Sequence, residues 1–428
     1  MNRPMQQRHI VIATAGSLGD LYPFLAVGRE LQRRTHRVTV ATSANHQAAV
    51  LEAGLGFRHM RPDPENSAAF HARYMHPKTG GEFVYKHYLA PAIRDSYDDL
   101  ARAAADADLL VSQSLMALAA PLLAARTGIP WVSAVLQPMT LFSLHDRPNY
   151  LPVPLLPWLC ERSPRIHAQV FHYVRRHTAE WVRPVFRLRA SLGIGGEPHP
   201  MYEGQHSPAC VLAMFSPLLG QPRPDWPGAT VQTGTADYVS PAVRRQPSLQ
   251  AFLAQAGRPL AIFTLSASAS NDAGDFYREA LHAAGIAGMR ALLITSGLAA
   301  SGRLPDPLPD WAMRVDYAPF EEIFPHAAVV VHAGGIGTAF KALRAGVPQI
   351  LVPHAHDQLD NALRLARLGA ATVIHGKRAG RARLARALQK IAGDDALRRH
   401  AAALAPRARD EDGAGRACDI IERQLAHA

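Results

Sequence analysis

The residues best suited to chemistry lie between Val329 and Leu365, in VVVHAGGIGTAFKALRAGVPQILVPHAHDQLDNALRL. Gly334, Gly335 and Gly337 remove side chains where backbone N–H groups would have to approach a phosphate. A helix that follows them presents its positive end to that anion. Thr338 adds a hydroxyl donor, and His332, closing the apolar run, is placed to donate a hydrogen bond to a diphosphate oxygen. After the next apolar run come His356, Asp357, Gln358, Asp360 and Asn361. A carboxylate beside an amide suits adjacent hydroxyls of a sugar. His354 and His356 stand two apart, but they share this loop and join no cluster with metal-ligand spacing, so no metal is expected.

A second candidate is AGSLGDLYPF, Ala15 to Phe24, where Asp20 follows Gly16, Ser17 and Gly19. As a general base, Asp20 would take a proton from an attacking hydroxyl, for which it must be ionised yet partly desolvated. The same residue equally suits the cap of a helix starting near Tyr22. A dinucleotide-binding dehydrogenase is a rival for the other segment, since Gly335-x-Gly337 could open its fingerprint. The third glycine of that fingerprint would be Phe340, however, and Pro353 and His354 stand where the ribose-binding acid is expected.

Both segments need a scaffold that ends strands beside glycine turns. HIVIATAG from His9 and a helical pattern at Phe24, Leu25, Val27 and Leu31 read as strand, loop and helix. HRVTVATS, DLLVSQS and IPWVSAVLQ continue the alternation, which builds a parallel sheet covered by helices. It fades from Gln137 to Gly220 into a segment rich in proline, histidine and aromatics. There Phe142, Tyr150, Leu155, Leu156 and Trp158 fit an apolar acceptor channel and ordinary packing equally well. The alternation restarts with PLAIFTLSAS, MRALLITS, AMRVDYAP, AVVVHAGG and VPQILVP. The Pro- and Gly-rich stretch before it places a boundary near residue 237, giving domains 1–236 and 237–428 with a helical tail. Ligands of such sheets sit at the carboxyl ends of the strands, where both candidate segments fall.

A chain of 428 residues with 48% hydrophobic and 19% charged residues has ample material for two cores. Cys160, Cys210 and Cys418 are odd in number and far apart, as in a reducing cytoplasm. The formal charge of +11 comes mostly from arginines scattered among alanines. No RNA-binding aromatic motif or zinc-finger spacing accompanies them, so nucleic acid is not an expected partner. The excess suits peripheral contact with an anionic membrane as well as compositional drift.

Together the two segments resemble glycosyltransferase family 1. GSLGDLYPF is similar to that family's N-terminal G-S-x-G-D-x-x-P-F loop, and HAGGIGT with HDQLDNA to its H-x-G-x-G-T and D-Q-x-x-N-A donor motif. Within the family, the likeness runs to the rhamnosyltransferases of rhamnolipid synthesis, through YAPFEEIFPHAAVVVHAGGIG and AHDQLDNA. The resemblance implies an α/β GT-B fold of two facing Rossmann-like domains and inversion at the anomeric carbon. It places the acceptor in the N-terminal domain and the donor in the C-terminal one, with the last helices packing back on the first domain. It puts the diphosphate at His332, Gly334, Gly335, Gly337 and Thr338, the donor sugar at Asp357, Gln358 and Asn361, and the base at Tyr317, Ala318 and Pro319. Asp20 stands where plant members carry a histidine base. Their orienting carboxylate is absent, because LLVSQSLMA offers Ser112 or Gln113, and a carboxylate base would need no such partner. TLSASAS lacks the family's Gly-Ser turn, leaving Ser266 and Ser268 as hydroxyl donors to phosphate.

The expected activity is therefore metal-independent sugar transfer, with no cofactor beyond the nucleotide-sugar substrate. Rhamnose from dTDP-rhamnose to a hydroxyacyl lipid comes first. UDP-glucose to a polyketide, phenol or sterol is the alternative. Outside transfer stand a nucleotide-sugar epimerase and a non-catalytic partner subunit, against which the retained Asp20 and donor motif argue together.

Overall fold

A computed structural model of the chain describes residues 7–149, 151, 153, 155–240, 246–265, 273–295, 304–375 and 380–427. The chain forms two compact units, each discontinuous in sequence. The first takes the chain up to Glu65, resumes at Gly81 and runs past Ser240, and regains the tail from Asp412; the second takes Asn66–Gly80 and the remainder to Glu411. A cut between 236 and 237 leaves out one exchange, since Met75 sits among the core side chains of the second unit; Cys418, in the last helix, sits among those of the first.

The first unit holds a seven-stranded parallel sheet. Its strands are β1 (His9–Ala13), β2 (Arg37–Thr42), β3 (Gly56–His59), β4 (Leu109–Gln113), β5 (Trp131–Val135), β6 (Val211–Ala213) and β7 (Thr230–Gln232), in the order β3-β2-β1-β4-β5-β6-β7. HIVIA and LLVSQ are buried along their whole length, as central strands covered by helices on both faces must be. Strands β3, β6 and β7 are not legible from periodicity. They have only three or four residues, and β3, GFRH, is largely exposed at the sheet edge. The segment after Gln137, where the alternation fades, is mainly helical: Leu156–Arg162, Pro164–Ala179 and Arg183–Ser191.

The second unit holds a six-stranded parallel sheet of β8 (Leu260–Thr264), β9 (Arg290–Ile294), β10 (Ala312–Val315), β11 (Val329–His332), β12 (Gln349–Leu351) and β13 (Ala371–Val373), in the order β10-β9-β8-β11-β12-β13. Each sheet thus grows outward in one direction, then returns to its first strand and grows the other way. That reversal opens a crevice beyond β1 and β4 in one unit and beyond β8 and β11 in the other.

The tail is helical, with Asp395–Arg409 in the second unit and Gly413–His427 in the first. The last helix lies against Leu18–Arg33, burying Ala417, Cys418, Ile420 and Ile421 beside Val27 and Leu31. Arg34 fixes its pitch through ion pairs to Asp419 (2.6 Å) and Glu422 (2.7 Å). Ile421 has no exposed surface, so Ile421→Ala should cost the first unit about 2–5 kcal/mol. Denaturant titration of the whole protein, read against the wild type, measures this.

Candidate active site

In the first unit, the crevice is occupied by the carboxylate of Asp20. The helix behind it begins at Leu18, a turn earlier than its apolar spacing predicts, with extended Ser17 as N-cap. Asp20 therefore stands at the third helical position. There its Oδ2 accepts from the Ser17 backbone N–H at 2.8 Å and from the Ser17 hydroxyl at 2.9 Å. This is the acidic half of a capping box. The other oxygen, Oδ1, accepts from Gln113 Nε2 at 2.9 Å. Gln113 closes β4 and is itself fixed, because its Oε1 accepts from the Thr14 hydroxyl at 2.6 Å and the Ala15 N–H at 3.2 Å. Those two donors settle which end of the amide faces the carboxylate.

Where an orienting carboxylate was not expected, the amide of Gln113 holds Asp20 from the adjacent strand. Capping uses only Oδ2, so Oδ1 is left to Gln113 and to any further partner. An ionised carboxylate offers about four lone-pair sites. Ser17 fills two and Gln113 one, and the remaining site is on Oδ1. Gly16 makes the arrangement sterically feasible. Its φ is +112° and a Cβ there would lie 2.5 Å from Asp20 Oδ2. His46, buried, donates from Nε2 to the Gly16 carbonyl at 2.9 Å. Gly19 is exposed.

Tyr85 lies on a seven-residue π-helical stretch, Phe83–Leu89, a geometry that recurs at functional sites. Burial pushes its phenol up, with the charges of Tyr202 and Asp20 adding to the effect. Tyr202 in turn packs edge-on against Phe142 and Phe171, at 4.8 and 4.9 Å between ring centres. Phe142 is thus a packed residue, whereas Leu155 and Trp158 are exposed, and Tyr150 lies outside the described residues. Leu156 is half-buried.

In the second unit, the glycine turn leaves β11 and starts the helix Ile336–Ala345, with Gly335 as N-cap. Gly334 has a φ of +94°, and a Cβ on it would meet the Gln358 carbonyl oxygen at 2.9 Å. Gly335 and Gly337 would meet nothing within 4 Å, so the helix start is open. The Thr338 hydroxyl is half-buried beside it.

His332 departs from its expected role. It is buried, its Nδ1 accepts from the Gly334 N–H at 3.1 Å, and its Nε2 donates to Gln349 Oε1 at 2.8 Å. Neither ring nitrogen is left for a phosphate oxygen in this arrangement. Burial holds the imidazole well below its usual value, at about 4, so it is a neutral brace for the turn.

Asn361, expected at the donor sugar, is likewise a brace. It is fully buried, and its Nδ2 donates to the Gly334 carbonyl at 3.1 Å and to Asp357 Oδ2 at 2.6 Å. Gln358 Oε1 accepts from the His354 and Ala355 N–H groups at 2.8 and 3.2 Å, holding the loop after β12. Asp357 occupies the N-cap position of the helix Gln358–Arg367 without a side-chain capping bond and is half-buried. Asp360 lies inside, paired with Arg364 at 2.7 Å. The exposed His356 has a φ of +57°, rare for a residue with a side chain, and its ring packs edge-on against Tyr74 at 5.1 Å. Tyr74 comes from the Asn66–Gly80 segment, and its place beside this loop has no local sequence signal. Tyr317 is exposed, Ala318 and Pro319 are buried at the end of β10, and Ser266 and Ser268 lie outside the described residues. Among the described residues no group of three or more His, Cys, Asp or Glu side chains is placed to hold a metal ion.

Comparison with known proteins gives two family matches. Residues 10–93 match the glycosyltransferase family 28 N-terminal domain. Residues 293–414 match the erythromycin biosynthesis protein CIII-like C-terminal domain. The chain is 31% identical over 437 residues to O-mycaminosyltylonolide 6-deoxyallosyltransferase of Streptomyces fradiae, covering 96% of each. It is 26% identical over its whole length to sterol 3-beta-glucosyltransferase of Aspergillus terreus, although it spans only 30% of that protein. Among solved structures, the glycotransferase of kitacinnamycin superposes with a TM-score of 0.72 at 22% identity, covering 98% of this chain and all of that one. CalG4, the calicheamicin glycosyltransferase, does so at 0.71 and 21%, covering 99% of each.

Two outcomes test the bracing. Gly334→Ala, which meets both a positive φ and a backbone oxygen, should weaken nucleotide binding by about tenfold or more, whereas Gly337→Ala should leave the fold intact; calorimetry with dTDP and UDP reads both. The neutral His332 contributes stability fully present above pH ~6.5 and lost as pH falls towards 4, because the unfolded imidazole takes up its proton first. Melting temperature should accordingly decline across that window, and less steeply in His332→Gln.

Proposed function

The chain belongs to the glycosyltransferases that combine a family 28 N-terminal domain with an EryCIII-like C-terminal domain on the GT-B fold, and on that premise we propose inverting, metal-independent transfer of a 6-deoxyhexose to a hydroxyl of an apolar acceptor. The leading pair is dTDP-rhamnose and a hydroxyacyl lipid. One observation carries the reading: Asp20 is held by Ser17 and Gln113 so that one lone-pair site on Oδ1 remains for an incoming hydroxyl proton. As that oxygen attacks the anomeric carbon from the face opposite the diphosphate, the proton passes to Oδ1 and the nucleoside diphosphate leaves.

The charge developing on the diphosphate falls on the open start of the helix Ile336–Ala345, its glycine amides and the Thr338 hydroxyl. Preorganised donors of this kind supply roughly 2.7–4 kcal/mol each where they have been removed singly, and no metal is needed. Asp357 and Gln358 are assigned to the sugar hydroxyls, and the loop Tyr317–Pro319 to the base. A 6-deoxyallosyltransferase among the relatives supports a 6-deoxy sugar. The second reading, UDP-glucose to a sterol, polyketide or phenol, is favoured by the match of the whole chain to sterol glucosyltransferases.

Nucleotide release by the full-length protein, in EDTA, separates these readings. Each donor is offered with and without a hydroxyacyl lipid, a sterol and a polyketide. Acceptor-dependent dTDP release supports the rhamnosyl reading, and acceptor-dependent UDP release the glucosyl one. Altered sugar nucleotide formed without any acceptor would mean an epimerase, and release from neither donor despite nucleotide binding would sink transfer altogether. Asp20→Asn should lower kcat by about 10²–10⁴. Gln113→Leu should lower kcat by about tenfold while leaving the donor KM near its wild-type value, because it frees the carboxylate to rotate without touching the nucleotide.

A further inference from the structure

The first unit carries an exposed apolar and basic face on the helices after Gln137. Among the described residues, six of the eleven large hydrophobic side chains that are exposed fall between Val153 and Tyr173. They include Leu155 at 75% exposure, Trp158 at 42% and Tyr173 at 71%. Scattered single apolar residues are ordinary on a protein surface, but a concentration of this kind marks a contact site.

The helix Pro164–Ala179 shows why the face is left outward. Its inner positions are all committed. His167 donates from Nδ1 to the Leu144 carbonyl at 2.9 Å, Phe171 packs on Phe142 and Tyr202, and Thr178 hydrogen-bonds with Tyr202 at 3.1 Å. Those positions recur at helical spacing on one side. The opposite side presents Arg165, Ile166, Gln169, His172, Tyr173 and Arg176, all exposed. Just before it, the short helix Leu156–Arg162 adds Trp158 and Leu159, with the Arg162 guanidinium 3.8 Å over the Trp158 ring.

Glu161, at the edge of the face, is exposed and lies 3.6 Å from Arg147; beyond it, the charge on the outer side of Pro164–Ala179 has one sign. From Arg162 to Ala179 the sequence holds four arginines and three histidines and no acidic residue. Arg175 is paired with Glu203, whereas Arg165 and Arg176 form no ion pair among the described residues. No helix among the described residues is long and apolar enough to cross a membrane. A basic helix face with Trp, Tyr, Leu and Ile at its margins is the composition that lies in the plane of a bilayer surface.

We propose that the outer face of Leu156–Arg162 and Pro164–Ala179 docks the protein peripherally on an anionic bilayer, arginines to lipid phosphates and Trp158, Leu159 and Ile166 into the headgroup boundary. The apolar members favour lipid over a nucleic acid, whose phosphates would be served by the arginines alone.

Co-sedimentation of the full-length protein tests this with vesicles of phosphatidylcholine alone and of equal parts phosphatidylcholine and phosphatidylglycerol. Binding should require phosphatidylglycerol and weaken as salt is raised. Arg165→Glu with Arg176→Glu should reduce partitioning by about tenfold or more, and Ile166→Ser with Tyr173→Ser should reduce it by a smaller factor. Unchanged dTDP or UDP affinity in both variants would show that they remain folded. The proposal is overturned by failure to bind the mixed vesicles at low salt, or by binding that neither variant alters. It is also overturned if duplex DNA or an acidic polypeptide competes the protein off the vesicles at equal charge, which would assign the face to a macromolecule instead.

Discussion

The functional half of the first unit depends on one amide. Gln113 takes Thr14 and Ala15 on its oxygen and gives its nitrogen to Asp20, so a single side chain ties the end of β4 to the loop after β1. It can do so only because β1 and β4 are adjacent and parallel, with Ala13 in register with Ser112. Gln113 is buried, and an unmet donor or acceptor there would cost about 1–3 kcal/mol. The carboxylate of Asp20 is therefore positioned by a network with little freedom to relax, which is the condition a base needs if geometry is to help it.

The second unit solves the same problem with different residues. Its glycine turn is held from below by His332, whose ring links the Gly334 amide to Gln349, and from the side by Asn361, which grips the Gly334 carbonyl and Asp357 together. Two residues read from the motif as ligand contacts thus hold the turn instead. The motif's spacing is explained either way, since a turn that must bind an anion through its backbone needs that backbone fixed. His356, in the left-handed region and against Tyr74, marks the loop after β12 as a further place where the fold imposes an unfavourable conformation.

The division into units follows the same economy of packing. Neither the Asn66–Gly80 segment nor the last helix belongs with its neighbours in sequence; each goes where its apolar side chains find a core. Phe70 and Met75 are buried, as are Cys418 and Ile421 at the other end of the chain. The helix Pro164–Ala179 follows the rule in part, committing His167, Phe171 and Thr178 inward and leaving a basic face without an acidic counterpart in its own sequence.

The parallel sheets, the glycine turns at their strand ends and the pairing of Asp20 with a donor motif are legible in the sequence, because buried strands are continuous apolar runs and phosphate turns need glycine at close spacing. The short strands β3, β6, β7 and β13 are not, since three or four residues carry no periodicity. Nor could sequence assign the helices after Gln137, whose core face forms only against distant aromatics. What tertiary structure alone decided is which polar side chains are taken up by partners within the protein. Gln113 joined Asp20, while His332 and Asn361 turned inward, because hydrogen-bond partners 93, 17 and 27 residues away are brought within reach only when the strands are laid side by side.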